Sequence, residues 1–252
     1  MGLGRLDGKI AIVTGAGGGI GQAVCQAFAR EGASIVGADI DGDTLAKTDQ
    51  LVESEGGKIR TITGDASNQD YCIDLVQTAK REFGGLSTIV TCAVRDVSYL
   101  PVTELPLEEW QASIDVNLTG VFLLLKHAIP EMIAGGGGSI ILTASQLANA
   151  PKPGRAWYAS QKGALISLVK CLAVDHADDH IRANTLSPGP TADGRFFSQW
   201  PTEEDAHAHA STLFHRLGEP VEMANGYVFL ASDESSFMTG TDLLIDGGYT
   251  AV

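Results

Sequence analysis

The chain has 252 residues, with 17 basic and 31 acidic side chains, so its formal charge at neutral pH is −14. Hydrophobic residues make up 44% of the sequence, which is enough for the core of a folded domain and excludes a disordered chain. The acidic excess argues against DNA or RNA as a partner, because phosphate binding requires a basic surface.

Short apolar runs alternate along the chain with segments whose apolar residues have helical spacing. The runs are uniformly apolar, which is typical of parallel strands covered on both faces. We therefore predict a single α/β domain over 1–252, a doubly wound parallel sheet of Rossmann type with about seven strands flanked by helices. Strands are expected over 9–14, 34–38, 58–63, 87–93, 139–143, 181–186 and 243–245, and helices over 20–30, 45–55, 71–83, 107–133, 158–176 and 221–231.

The segment 190–218 has no clear strand character and contains Phe196, Phe197 and Trp200. A stretch of this length is too long for an ordinary connection, and such stretches are commonly functional. We predict that it is a lid over a substrate site.

The beginning of the chain shows no apolar export segment, and the apolar run over 121–125 ends at Lys126 and His127. No apolar run approaches the ~18 residues that span a bilayer. The four cysteines are widely separated and form no CxxC pair, as expected for reduced thiols in the core. These features predict a cytoplasmic protein without a membrane partner.

A glycine-rich segment, TGAGGGIG, follows the first predicted strand. Glycines between a strand and a helix let the backbone approach a pyrophosphate, which then binds at the helix N-terminus. A flexible turn is the alternative, but so many glycines would be an entropically costly way to make one. The residues expected to contact a dinucleotide here are Gly15, Gly17, Gly18, Gly19, Ile20 and Gly21.

Asp39 closes the second strand, where a carboxylate can hold both ribose hydroxyls of the adenosine half of NAD and repel the 2′-phosphate of NADP. The alternative is a cap for the next helix, a role that Asp41 or Asp43 could fill. Asp65 closes the third strand, where an adenine contact and a helix start are both reasonable. We predict NAD as the cofactor.

Tyr158 and Lys162 are four residues apart in a predicted helix, so they share one helix face. A nearby ammonium favours tyrosinate and lowers a pKa that is otherwise about 10, which makes the phenol a usable general acid/base. Ser145 follows the fifth strand and reaches the same sheet edge. These three residues are the candidate catalytic group.

Asn117 lies inside an apolar helical segment, where a buried amide must find partners. Two interpretations of Asn117 are therefore open. One is a catalytic role, and the other is a structural role as a helix–helix hydrogen bond or a local kink.

Together these residues resemble the short-chain dehydrogenase/reductase family, and the resemblance extends from TGAGGGIG to the terminal DGGYTAV. It implies hydride transfer on an alcohol or carbonyl compound, and a homotetramer. In the family pattern, Tyr158 exchanges a proton with the substrate oxygen, and Ser145 hydrogen-bonds that oxygen. Lys162 lowers the pKa of the tyrosine and binds the nicotinamide ribose, and Asn117 supports a proton-relay water.

The resemblance also implies cofactor contacts after the later strands. Pro188 and Gly189 follow the sixth strand and meet the nicotinamide with their backbone, and Thr191 is a further contact. Ala66 and Ala93 complete the set of residues expected at the cofactor.

One segment departs from the family pattern. Thr91-Cys92-Ala93-Val94 stands where the family usually has Asn-Asn-Ala-Gly. The change removes backbone-bracing hydrogen bonds of the asparagine, and Val94 places a branched side chain where glycine lets the cofactor come close.

We therefore expect an NAD-dependent oxidoreductase that acts on a secondary alcohol or its ketone. A 3-oxoacyl-carrier-protein reductase is one alternative, although such enzymes generally use NADPH. A catalytically silent NAD-binding scaffold is another, suggested by the departure at 91–94.

The substrate is expected to be compact and largely apolar, with walls that include Leu147, Trp157, Phe196, Phe197 and Trp200. Four cations are near these walls in sequence: Arg95, Lys152, Arg155 and Arg195. A substrate that carries a carboxylate is therefore an open alternative. The spacings His176-x-x-x-His180 and His207-x-His209 are interpreted as solvated surface, and no metal site is expected.

Overall fold

Residues 4–251 are described by the structure, a computed structural model, and their seven strands form one sheet. All neighbouring strands are parallel, so the predicted doubly wound sheet is confirmed. The strands are Ile10–Thr14 (β1), Ser34–Asp39 (β2), Lys58–Thr63 (β3), Thr88–Thr91 (β4), Gly138–Thr143 (β5), Ile181–Pro188 (β6) and Asp242–Ile245 (β7), in the order β3-β2-β1-β4-β5-β6-β7.

The predicted domain, 1–252, extends beyond the described residues at both ends. Residues 1–3, on which the argument about an export segment depends, and residue 252 lie outside them.

Helices cover both faces of the sheet, and successive strand residues point to opposite faces. Ala11 and Val13 face one core cluster, while Ile12 between them faces the other. The helices are Gly19–Arg30 (α1), Gly42–Ser54 (α2), Gln69–Thr78 (α3), Leu107–Ile114 (α4), Val121–Ala134 (α5), Ala156–Asp175 (α6), Gly194–Phe197 (α7), Glu203–Ala208 (α8) and Pro220–Ala231 (α9). Helices α1, α2 and α9 pack on one face, and α3, α5 and α6 on the other.

The boundaries of two predicted helices change for identifiable reasons. Helix α2 begins three residues early, because the Asp41 carboxylate accepts hydrogen bonds from the N–H groups of Asp43 and Thr44. The helix expected over 107–133 is one helical run, but the segment Asp115–Gly120 between α4 and α5 is a π-helical turn. Such turns occur often at functional sites.

The run Leu107–Ala134 is long and apolar enough to cross a membrane by length and composition alone, with a mean hydropathy of 1.3 in its best window. The sequence-based expectation of no such run was therefore too strict, since Lys126 and His127 only dilute it. Half of that window is buried in the fold, where α5 packs against the sheet and α3. The core helix of a soluble protein passes the same test.

The four cysteines are unpaired. Cys25 and Cys72 are buried, as expected for core thiols, but Cys171 is exposed on α6, so that part of the expectation is wrong.

The carboxyl ends of the strands lie along one edge of the sheet. Thr14 pairs with both Ala38 and Thr91, and Thr143 pairs with Leu186. The segments that follow these strands therefore meet at one edge, which is where ligands bind in doubly wound sheets.

Candidate active site

A cavity of about 830 Å³ opens at this edge. It brings together every predicted site residue except Asn117. Those that line it are Gly15, Gly17, Gly18, Gly19, Ile20, Gly21, Asp39, Asp65, Ala66, Ala93, Ser145, Tyr158, Lys162, Pro188, Gly189 and Thr191. The motif spacing and the rule that parallel strands end at one sheet edge thus predicted nearly all of these residues.

The glycine segment leaves the main chain of the first helical turn open to a ligand. Gly15 has a φ of +70°, and a Cβ there would lie 2.5 Å from the Ala93 nitrogen. A Cβ on Gly21 would collide with the Gly15 carbonyl. Gly18 is the N-cap of α1 and provides no side-chain cap, so the first N–H groups of the helix are free for an anion. These features fit a dinucleotide pyrophosphate.

Asp39 holds the glycine segment and faces the cavity. Its carboxylate accepts hydrogen bonds from the N–H groups of Gly17 at 2.9 Å and Asp41 at 3.0 Å. The alternative role as a helix cap belongs instead to Asp41. Asp65 does not cap α3 either, since Asn68 does, and its carboxylate binds Ser67.

Tyr158, Lys162 and Ser145 meet at the buried centre of the cavity, each at most 7% exposed. The Lys162 ammonium donates a hydrogen bond to the Thr143 carbonyl at 2.6 Å and lies 5.5 Å from the centre of the Tyr158 ring. The Ser145 hydroxyl donates to the Gln146 side chain at 3.0 Å and accepts from the Leu147 N–H at 3.2 Å. The first two helical turns of α6 and the segment just after β5 thus place these groups together.

The environment of Tyr158 favours its ionised form. Burial alone raises the pKa of Tyr158, but the positive charges of Arg195 and Lys162 are the main causes that outweigh it, so the pKa is lowered. Burial lowers the pKa of the Lys162 ammonium, while Tyr158 opposes that change. A phenol with a lowered pKa is suited to proton transfer near neutral pH.

Arg195, predicted only as a cation near the substrate, lies against Tyr158 and comes from the segment 190–218 that we predicted to be a lid. Its guanidinium carbon lies 4.9 Å from the centre of the Tyr158 ring. Two hydrogen bonds of 2.7 Å join it to the Asp96 carboxylate, in the segment after β4. This pair connects the lid to the sheet edge across 99 residues of sequence, so no local pattern could have revealed it.

Asn117 lies outside the cavity lining, in the π-helical turn. Its side-chain oxygen accepts from the Arg95 N–H at 2.8 Å, and its amide nitrogen donates to the Gln161 side chain at 2.8 Å and to the Arg95 carbonyl. Of the structural alternatives, the hydrogen bond between two helical segments is present, through Gln161 on α6, and the local irregularity is a π-helical turn. Its side chain braces the main chain after β4.

The unusual segment after β4 is held by other contacts. The Cys92 N–H donates to the Thr14 carbonyl at 2.9 Å, and the Cys92 thiol lies 3.4 Å from the Thr143 hydroxyl. Val94 lines the cavity. The bracing that the family asparagine would give is thus provided in part by Asn117 and Thr14.

Only part of the expected apolar wall faces the cavity. Leu147, Phe196 and Trp200 line it. Trp157 is fully buried and stacks on Tyr99, with ring centres 6.1 Å apart. Phe197 packs against His207 in α8, so for Trp157 and Phe197 the prediction of a wall position was wrong.

No group of three or more possible metal ligands occurs within 4–251. His176 instead contacts the Asp179 carboxylate at 2.9 Å.

A family model described as enoyl-(acyl carrier protein) reductase matches residues 15–250 of this chain. The chain belongs to the short-chain dehydrogenase/reductase family. It is therefore an oxidoreductase, and this family generally uses nicotinamide cofactors.

Three relatives cover almost all of the chain. A 2,5-dichloro-2,5-cyclohexadiene-1,4-diol dehydrogenase of Sphingobium indicum is 33% identical, covering 98% of both chains. A cis-4-hydroxycyclohexanecarboxylate dehydrogenase of Sinomonas cyclohexanicum is 35% identical, covering 97% of both. A 3-oxoacyl-[acyl-carrier-protein] reductase of Thermotoga maritima is 35% identical, covering 97% of this chain and 98% of its own.

A solved short-chain dehydrogenase/reductase from Mycobacterium ulcerans has the same fold. It superposes with a TM-score of 0.90 at 30% identity, covering 98% of this chain and 91% of its own.

We expect replacement of Arg195 by glutamine to raise the pKa of Tyr158, because a cation that lowers it is lost. With tyrosinate as the predicted base of alcohol oxidation, the acid limb of the pH–rate profile should move up by about one to two pH units. The pH–rate profile of Asp96→Asn distinguishes loss of the Arg195 charge from loss of the ion pair that holds the segment 190–218. That variant breaks the same ion pair but keeps the cation, so its acid limb should not move up. Arg30→Gln, which breaks a remote pair with Glu55, is the control.

Proposed function

We propose that this short-chain dehydrogenase/reductase is a cytoplasmic, NAD-dependent enzyme that interconverts a secondary alcohol and its ketone. The observation that carries the proposal is the buried arrangement of Tyr158, Lys162 and Ser145 at one end of a cavity that begins at the glycine segment. The unpaired cysteines are compatible with a reducing compartment.

A bound nicotinamide supplies the acceptor or donor for the hydride. In alcohol oxidation, Ser145 orients the substrate hydroxyl and Tyr158, as phenolate, takes its proton. In ketone reduction, the neutral phenol returns a proton to the substrate oxygen. Lys162 stabilises the phenolate and, fixed by the Thr143 carbonyl, can hold a ribose hydroxyl. The buried position keeps competing water away from the exchanging proton.

The choice of NAD over NADP is supported by the charges at the adenosine end. Asp39, Asp41 and Asp65 line this end, with no basic side chain beside them in the lining. A 2′-phosphate about 4 Å from a carboxylate costs about 1 to 4 kcal/mol in partly solvated surroundings.

The substrate class is supported by relatives and by the lining. Two relatives bear names of dehydrogenases for hydroxylated six-membered rings. Leu147, Phe196 and Trp200 suit an apolar ring, so we propose a cyclic secondary alcohol. The alternative, a 3-oxoacyl-carrier-protein reductase, has a relative in its favour and the carboxylate at Asp39 against it. A silent scaffold would have no need for the lowered pKa at Tyr158.

Tyr158→Phe tests the chemistry. With a panel of cyclic secondary alcohols and ketones followed by NADH absorbance, we expect turnover to fall by about 10² to 10⁴. NADH binding, followed by fluorescence, should change little, because only one hydroxyl is removed. Unchanged turnover would refute the proposed proton transfer. An inactive wild-type protein that binds NADH would favour the scaffold.

Asp39→Asn tests the cofactor. The wild type should bind NADH at least tenfold more tightly than NADPH, and the variant should lose most of that preference. Asparagine keeps an oxygen acceptor for the Gly17 N–H, so the glycine segment should stay in place. Asp43→Asn removes the same charge from an exposed position outside the lining and should leave the preference intact. Equal binding of both cofactors by the wild type would contradict the proposal.

We also propose a homotetramer. The apolar residues near the C-terminus could contribute to a subunit interface, but Leu243 and Ile245 among them pack against the core of the same chain. Outer positions of the long helices are better candidates, since Phe122 is 57% and Val174 80% exposed.

Light scattering at micromolar concentration should give the mass of four chains. Phe122→Glu should reduce it, because a charge would enter an apolar interface. Phe237→Ser, at a fully exposed position elsewhere, should not. A monomeric wild type would exclude the tetramer.

A further inference from the structure

Of the cavity-lining cations that form no ion pair within 4–251, two lie together in the chain just before Tyr158. Lys152 and Arg155 both line the cavity, in the segment between β5 and α6. None of the ion pairs found within 4–251 includes either residue, whereas Arg195 beside them is paired with Asp96. Carboxylates outnumber cations in this protein, whose formal charge is −14. Cations that stay unpaired at a ligand cavity therefore indicate that a ligand provides their partner.

Neutral groups hold both side chains in place. The guanidinium carbon of Arg155 lies 3.3 Å from the centre of the Tyr99 ring, and its Nη2 donates to the Gln199 side chain at 2.7 Å. The Lys152 ammonium lies 5.2 Å from the centre of the Tyr249 ring. Aromatic faces and an amide orient a cation without neutralising it. Both charges thus stay available to a ligand.

The two cations also disfavour each other. Partial burial at the cavity rim and the charge of Arg155 lower the pKa of Lys152. An anion beside both would remove this repulsion and form charge-assisted hydrogen bonds with each.

The pyrophosphate of a dinucleotide is not that anion. The glycine segment follows β1, while Lys152 and Arg155 follow β5, two strands further along the sheet. Strands are about 4.8 Å apart, so the two regions are separated by about 10 Å. Arg155 is instead the N-cap of α6 and lies three residues before Tyr158. Positions three apart on a helix are neighbours, with Cβ atoms about 5 to 6 Å apart.

We infer that the substrate carries a carboxylate, several bonds from the reacting carbon, which binds between Lys152 and Arg155. This inference rests on the proposed function, because it places the carboxylate relative to the oxygen held by Ser145 and Tyr158. The hydrogen bond that Arg155 donates to Gln199 makes the segment 190–218 part of this subsite.

Matched ketones provide the first test. Oxocyclohexanecarboxylates, their methyl esters and cyclohexanone are compared as substrates with NADH. We expect kcat/KM for the acid to exceed that for its ester about tenfold to one hundredfold, mainly through KM. Added salt should reduce this advantage, because it screens charges at the rim.

Variants assign the effect to the two cations. Lys152→Gln and Arg155→Gln should each remove most of the preference for the acid, measured as the ratio of kcat/KM for the acid to kcat/KM for the ester. A change in turnover that is common to both substrates cancels in this ratio. Arg155→Lys should restore part of the preference. Lys170→Gln, which removes a charge elsewhere on α6, is the control and should keep the full preference.

Binding measurements separate this inference from the proposed function. Calorimetry with cyclohexanecarboxylate and cyclohexanecarboxamide, on protein saturated with NADH, requires no turnover. Tighter binding of the carboxylate, lost in Lys152→Gln and Arg155→Gln, supports the subsite even if no ketone is reduced. Equal binding of acid and amide, or equal kcat/KM for acid and ester, overturns it while any ketone turnover upholds the proposed function. Weaker NADH binding in both variants would assign the cations to the cofactor and also overturn it.

Discussion

The Lys162 ammonium is buried and donates a 2.6 Å hydrogen bond to the Thr143 carbonyl. Burying a cation is costly unless dipoles or opposite charge compensate it. The carbonyl gives part of that compensation, and an ionised Tyr158 phenol adds to it. The charge states of Lys162 and Tyr158 are therefore coupled. The position of Lys162 is fixed because Thr143 is itself held by the Tyr227 hydroxyl at 2.6 Å.

A chain of buried amides extends this rigidity to the opposite wall. Gln161, next to Lys162 on α6, accepts from Asn117 and donates to the Ser113 hydroxyl at 2.7 Å. Asn117 in turn holds the main chain of Arg95. The π-helical turn supplies the extra residue that lets an amide inside an apolar helix reach three partners. This network explains how a segment without the usual asparagines after β4 can still keep its shape.

The spacing of residues along the chain predicted the parts of the site that lie close together in sequence. The glycine segment, Asp39, and the pair Tyr158 and Lys162 follow from strand ends and from four-residue helical spacing, and a parallel sheet brings them to one edge. Neighbouring residues on a helix point about 100° apart, which is why Trp157 and Phe197 turn away although Tyr158 and Phe196 face the cavity. The partners of Asn117 lie 22 and 44 residues away, and Asp96 lies 99 residues from Arg195. Such contacts depend on the folded positions of whole elements, so one sequence does not reveal them.

The sheet order also separates charge within the cavity. Asp39 ends β2 and Asp65 follows β3, whereas the unpaired cations Lys152 and Arg155 follow β5, on the other side of β1 and β4. Since three strand spacings separate β2 from β5, about 14 Å lies between the acidic and the basic end. A ligand with hydroxyls at one end and an anion at the other is favoured in one orientation only, because reversal would place like charges together. The topology that brings Ser145, Tyr158 and Lys162 together thus also divides the cavity into an acidic and a basic end.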